Sequence, residues 1–106
     1  CIERGSYCNI GWTQAGEEAI YWVNNSEDDT VQKEVTLRLA SLRTGRRVSV
    51  QVEGVGDVGV LEAPGKGYQE FEDVIWSGAS FPPGKSRLIV RFLDDRVNLC
   101  AVSVKQ

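Results

Sequence analysis

Val31-Gln32-Lys33-Glu34-Val35-Thr36-Leu37-Arg38-Leu39-Ala40 is the most regular stretch of the chain, with Val35, Leu37 and Leu39 alternating with Thr36 and Arg38. A period of two with one apolar and one polar side is the pattern of an antiparallel strand that buries one face and wets the other. The same period recurs outward in both directions. Toward the N-terminus, Ala19, Tyr21 and Val23 alternate with Ile20, Trp22 and Asn24 across a strand expected over Glu18–Asn24. Toward the C-terminus, Val48, Val50 and Val52 form the next strand, and Glu53-Gly54-Val55-Gly56-Asp57 reads as a hairpin connection that returns through Val58–Leu61. A strand is expected over Gln69–Trp76. Ser77–Ser86 then reads as a turn-rich connection whose prolines exclude a central strand. Arg87–Leu93 alternates Leu88, Val90 and Phe92 against Ile89 and Arg91, and a final strand begins at Val97. No stretch supports a helix of three turns. The expectation is all-β, a two-sheet antiparallel sandwich with Val35, Leu37, Leu39, Val48, Val50, Leu88, Val90 and Phe92 facing inward.

Composition bounds the function. At 106 residues the chain suits one domain spanning residues 1–106, long enough to bury about 65% of its unfolded surface. A net charge of −3 argues against nucleic acid, whose binders neutralise phosphates. No apolar run approaches the roughly 20 residues needed to span a bilayer. Because the numbering begins at Cys1, the expectation is a piece excised from, or N-terminally trimmed in, a larger secreted protein with other domains. Three cysteines without any histidine fit neither a zinc set nor a CxxC redox motif, which favours an oxidising, extracellular setting.

Enzyme chemistry is poorly served. Nucleophilic catalysis generally needs an activating base, and the usual one, His, is absent. Glu17 and Glu18 are adjacent, and successive strand side chains point to opposite faces, so the two cannot flank one glycosidic bond. Two aromatics fall instead on loops bounded by glycines: Trp12, after Ile10-Gly11 and before Thr13-Gln14-Ala15-Gly16, and Tyr68, delivered by Ala63-Pro64-Gly65-Lys66-Gly67. A loop aromatic offers a flat face to the apolar C–H side of a sugar ring. Tyr21, Trp22 and Trp76 lie in strands, where core packing is the default reading.

Five segments in order resemble family 6 carbohydrate-binding modules and the related family 35 modules: Ile10–Glu17, Thr36–Ala40, Gly45–Val52, Gly67–Phe71 and Asn98–Ala101. The resemblance runs from Asn9 to the C-terminus. It narrows the sandwich to a jelly roll, and it implies non-catalytic binding of a polysaccharide or oligosaccharide. In that family, aromatics at the positions of Trp12 and Tyr68 sandwich a sugar in a loop-edge cleft, and an Asn matching Asn98 hydrogen-bonds it; Gln14 and Glu17 are accessory candidates. Some members bind a second glycan on the sheet face, which here requires an exposed ring. The family also holds a structural Ca²⁺ through Glu residues of the first strand and an Asp at the position of Cys100. A soft thiol is a poor Ca²⁺ ligand, so no cofactor or metal is expected. A disulfide from Cys100 to Cys1, or alternatively Cys8, takes its place as the clip between first and last strands.

Two charged clusters read mainly as solvated turns. Asn24-Asn25-Ser26-Glu27-Asp28-Asp29 lacks the spaced acidic pattern of a Ca²⁺ loop. Arg43, Arg46 and Arg47 are the right chemistry to clamp a carboxylate or sulfate, although such clusters usually lie in water. The competing function is an extracellular protein-interaction or matrix module on the same sandwich.

Overall fold

The computed structural model describes residues 2–3, 6–7, 11 and 13–105. Nine strands occur among them: β1 Ile2–Glu3, β2 Ser6–Tyr7, β3 Glu18–Asn25, β4 Val31–Ser41, β5 Arg47–Val52, β6 Val58–Glu62, β7 Gly67–Phe81, β8 Gly84–Phe92 and β9 Asn98–Lys105. β1 and β2 pair with each other. The rest form two antiparallel sheets, one ordered β3-β8-β5-β6 and one ordered β7-β4-β9. From β3 onward the chain changes sheet at every connection except the β5–β6 hairpin, which is how the two sheets come to face each other across one core. No helix occurs among the described residues, and none is long and apolar enough to cross a membrane.

The period-two reading holds where it was strongest. Val35, Leu37 and Leu39 of β4, Val48 and Val50 of β5, and Leu88, Val90 and Phe92 of β8 are all buried in one cluster with Val52, Leu61, Phe81, Val97 and Leu99. Ala19, Tyr21 and Val23 pack against this cluster from β3, as does Trp76 from β7. Burial raises the Tyr21 phenol above its ordinary pKa, because the ionised form would lose its water. In the hairpin only the first of the two glycines, Gly54, takes a positive φ, and Val55 N–H closes the turn onto the Val52 carbonyl.

Two expectations need correction. Ser77–Phe81 is strand, not connection: β7 runs to Phe81, and the break is confined to Pro82-Pro83 before β8 begins at Gly84. Gly78 sits at φ 82°, and Ser77 and Gly78 together face the single residue Glu34, since Lys33 pairs with Ala79 and Val35 with Trp76. The Ser-Gly pair is a β-bulge within one strand, and it looks like a turn in sequence because a bulge, like a turn, here puts its glycine, Gly78, in the left-handed region. Trp22 is the second correction. It is 67% exposed on the outer face of the four-stranded sheet, because the period that buries Tyr21 and Val23 turns the residue between them outward.

Candidate functional site at the end of β4

β4 is the middle strand of its sheet, and its C-terminal end organises the loop edge. On one side Asn98 pairs with Ala40; on the other Gly67 pairs with Ser41. Between the pairs Leu39–Glu72 and Ser41–Gly67, the four residues Tyr68–Phe71 face Ala40 alone, so that segment bows out of the ladder and carries Tyr68 with it. Tyr68 is 40% exposed. Its backbone is anchored, because the Asn98 Nδ2 donates to the Tyr68 carbonyl at 2.7 Å from the far side of β4. Asn98 itself is 7% exposed, so this bond forms where water competes weakly.

The turn after β4 is tied to the loop before β7 through a buried hydroxyl. Ser41 Oγ donates to the Arg43 carbonyl at 2.8 Å and accepts from Gly65 N–H at 3.1 Å, while Ala63 N–H donates to the Arg46 carbonyl at 2.8 Å. Gly65 has φ 72°, and a Cβ there would lie 2.7 Å from the Thr44 backbone nitrogen. Only glycine lets the two turns approach this closely.

The loop that carries Gln14 and Glu17 is stapled to the turn before β9. Thr13, 4% exposed, donates through Oγ1 to the Val97 carbonyl at 2.8 Å and accepts Val97 N–H at 2.9 Å. Gly16 N–H donates to the Phe92 carbonyl, Ala15 N–H to Asp95 Oδ1, and Arg96 N–H to the Thr13 carbonyl. Arg96 adopts φ 60°, the only positive φ at a non-glycine among the described residues. Asp94 accepts both the backbone N–H and the Nε of Arg47, and the backbone bond is the main reason its carboxyl is held below its ordinary pKa.

Tyr68 and Asn98, both named from the sequence as sugar-binding candidates, are joined by one direct bond, from the Asn98 amide to the Tyr68 backbone carbonyl. Gln14 and Glu17 belong to the adjoining loop, where the Glu17 carboxylate accepts Gln14 N–H and closes their own turn. Trp12, Cys1 and Cys8 lie outside the described residues. Cys100 is the extra residue of a bulge in β9, between the pairs Arg38–Ala101 and Leu39–Leu99. Among the described residues no group of three or more Cys, Asp or Glu is placed to hold a metal ion. Nor is the acidic run after β3 loose: the buried Asn25 donates through Nδ2 to the carbonyls of Asp29 and Phe81 and accepts Glu27 N–H, which makes it a structural pin.

A small cleft of about 80 Å³ opens beside Tyr68, lined by Leu42, Arg43, Arg46, Tyr68 and Arg96. Arg47, expected beside Arg43 and Arg46, is turned away to Asp94, and Arg96 stands in its place. Sequence reasoning missed Thr13, Ser41 and Arg96. The first two carry no signal beyond being hydroxyl residues near turns; Arg96 follows Asp94-Asp95, a turn signal that does not say which residue takes the left-handed position.

No protein-family model matches the sequence, and no curated protein matches it. The fold, however, is that of solved family 6 and family 35 carbohydrate-binding modules. The chain is similar to the C-terminal family 6 module of a marine laminarinase from Zobellia galactanivorans, with 21% identity, a TM-score of 0.78, and coverage of 92% of this chain and 79% of that one. It is similar to a module of Cellvibrio mixtus lichenase 5A solved with cellotriose, with 19% identity, a TM-score of 0.76, and coverage of 92% and 76%. A family 35 module solved with a glucuronic acid-containing disaccharide has 13% identity, a TM-score of 0.75, and coverage of 88% and 68%. At these identities the likeness establishes the fold.

Proposed function

We propose that the chain is a non-catalytic carbohydrate-binding module, extracellular and part of a larger protein, whose loop edge holds one sugar ring against Tyr68 and Trp12. The observation that carries this reading is the half-exposed Tyr68, bowed out of β7 and fixed from behind by the Asn98 amide. A ring whose backbone is already anchored leaves less of the chain to be ordered when a sugar stacks on it, which favours binding. Solved structures of the same fold that contain cellotriose or cellobiose support sugar as the ligand class. Gln14 and Glu17 are the accessory polar residues of this reading, and Asn98 combines its anchoring of Tyr68 with a hydroxyl contact.

The proposal extends to the cysteines, with Cys100 bridged to Cys1 or, alternatively, Cys8. Its support is that the Cys100 sulfur is a bonded one and that these are the other two cysteines of the chain. A second sugar surface is favoured by one observation. Trp22 stands exposed on the outer face of the four-stranded sheet, beside a shallow depression lined also by Asn24 and Lys85.

The test is a glycan microarray followed by calorimetric titration of the best neutral and acidic oligosaccharides. A shallow, partly wet site predicts dissociation constants on the order of 10 µM to 1 mM. Tyr68→Ala and Trp12→Ala should each weaken binding at least about tenfold, the order expected for one stacked ring, with an unchanged far-ultraviolet circular dichroism spectrum. Undiminished affinity in both variants would leave the protein-interaction reading in front.

A further inference from the structure

Seven arginines lie among the described residues, and they divide into two groups. Arg38, Arg47, Arg87 and Arg91 are each ion-paired, to Asp73, Asp94, Glu53 and Glu18 at 3.1, 3.2, 2.8 and 4.0 Å. Arg43, Arg46 and Arg96 have no acidic partner within 4.0 Å among the described residues, and all three line one small cleft beside Tyr68. In a chain with 15 acidic and 12 basic residues, carboxylates are not scarce. Three guanidinium groups gathered at one cleft leave a local excess of positive charge, which an anion entering the cleft would neutralise.

The cluster is also assembled with some strain. Arg96 is held in the left-handed region by its N–H bond to Thr13, a conformation that disfavours a side chain with a Cβ. Arg43 and Arg46 are fixed through their carbonyls by Ser41 and Ala63, so the turn that carries them does not drift. Asp95, next to Arg96 in the chain, accepts the Ala15 N–H, and Asp94 is bonded to Arg47 and feels Arg46 only at longer range.

We infer that the cleft selects a sugar bearing an anionic group, a carboxylate or a sulfate ester, which Arg43, Arg46 and Arg96 clamp while the ring stacks on Tyr68. This rests on the carbohydrate reading above and narrows it to acidic glycans. The size agrees: about 80 Å³ holds roughly two to three water-sized groups, enough for a carboxylate or sulfate but not for a whole ring. Leu42, exposed at the lip, supplies an apolar wall for the ring's C–H face. Planar guanidinium groups pair with either anion in a forked geometry, so carboxylate and sulfate share one recognition chemistry.

The experiment titrates the protein with three probes: a tetragalacturonate, a sulfated galactan tetrasaccharide and a neutral galactotetraose. At least one acidic probe should bind at least about tenfold tighter than the neutral one, the factor a single charge-assisted hydrogen bond supplies. Raising the salt should shrink that preference. The triple variant Arg43→Gln, Arg46→Gln, Arg96→Gln should lose the preference while keeping any neutral binding, and Arg38→Gln, which breaks a paired arginine elsewhere, should keep it. Which acidic probe wins separates carboxylate from sulfate. Equal affinity for neutral and acidic probes, or a preference that survives in the triple variant, overturns the inference and leaves the general sugar reading standing. No binding to any of the probes, with none on a broad array, overturns both.

Discussion

The outer face of the four-stranded sheet and the loop edge at the end of β4 each present an exposed aromatic ring beside arginines, yet they treat charge in opposite ways. On the sheet, Glu18 pairs in register with Arg91 one strand away, and Arg87 reaches Glu53, so the arginines on either side of Trp22's position each have a partner. At the edge, Arg43, Arg46 and Arg96 line the cleft beside Tyr68 with no ion pair within 4.0 Å among the described residues. The sheet places acid opposite base because a ladder has a fixed spacing in which neighbours select each other. The edge has no ladder: its side chains are placed by turns, by the bulge over Tyr68–Phe71 and by bonds between distant loops. The difference teaches that a ladder supplies its arginines with partners by its own spacing, while turns can leave theirs available to a ligand.

The sharpest way to separate the two kinds of construction is to damage each in turn. Leu37→Ala, at a fully buried position of β4, should cost about 2–5 kcal/mol in urea denaturation, because the sandwich closes poorly around the cavity. Sugar affinity per folded molecule should stay within a factor of about two, since on this view the ladder carries stability and not recognition. A large loss of affinity in the fraction still folded would break the comparison.

Gly65→Ala should act the other way. The added methyl meets the Thr44 backbone in a left-handed residue, so we expect about 1–3 kcal/mol of lost stability and at least a tenfold loss of sugar binding, as the turns carrying Arg43 and Tyr68 are pushed apart. Calorimetric titration beside a thermal melt reads both, and unchanged binding would show that the two turns need not touch.

The smallest effect should come from acid. The carboxyl of Asp94 is depressed in the folded chain, so its contribution is present above the ordinary carboxylate range and is lost as pH falls through the lowered value. Melting temperatures of the parent and Asp94→Asn should therefore differ near neutral pH and converge at strongly acidic pH. A constant difference would mean that the bond to Arg47 is not what the charge supplies.

The same division explains what could be read from the chain beforehand. Each of the eight inward residues named from their period is buried, because alternation reports a face without regard to what lies across from it. Trp22 defied its residue type and obeyed its position, since Tyr21 and Val23 had already claimed the inner face. Ser77-Gly78 has turn chemistry whether it ends a strand or bulges one, and only the pairing with Lys33 and Val35 decides which. Of the candidate site, Tyr68 and Asn98 were legible as types on loop and strand ends. The exchange of Arg47 for Arg96 was not, because it depends on where a loop near residue 13 meets a turn near residue 96.

That meeting has a consequence in time. The Thr13 hydroxyl closes onto a partner 84 residues further along the chain, and the Asn98 amide reaches back 30 residues to Tyr68. Contacts of such separation form late, after the intervening chain has paid its closure entropy. A growing chain that has not yet released Val97 and Asn98 has neither partner, so its loop edge is unmade however complete β3 to β6 are. On the reading proposed above, recognition is thus acquired with the last strand, because the loop edge is not complete until synthesis of that strand is finished.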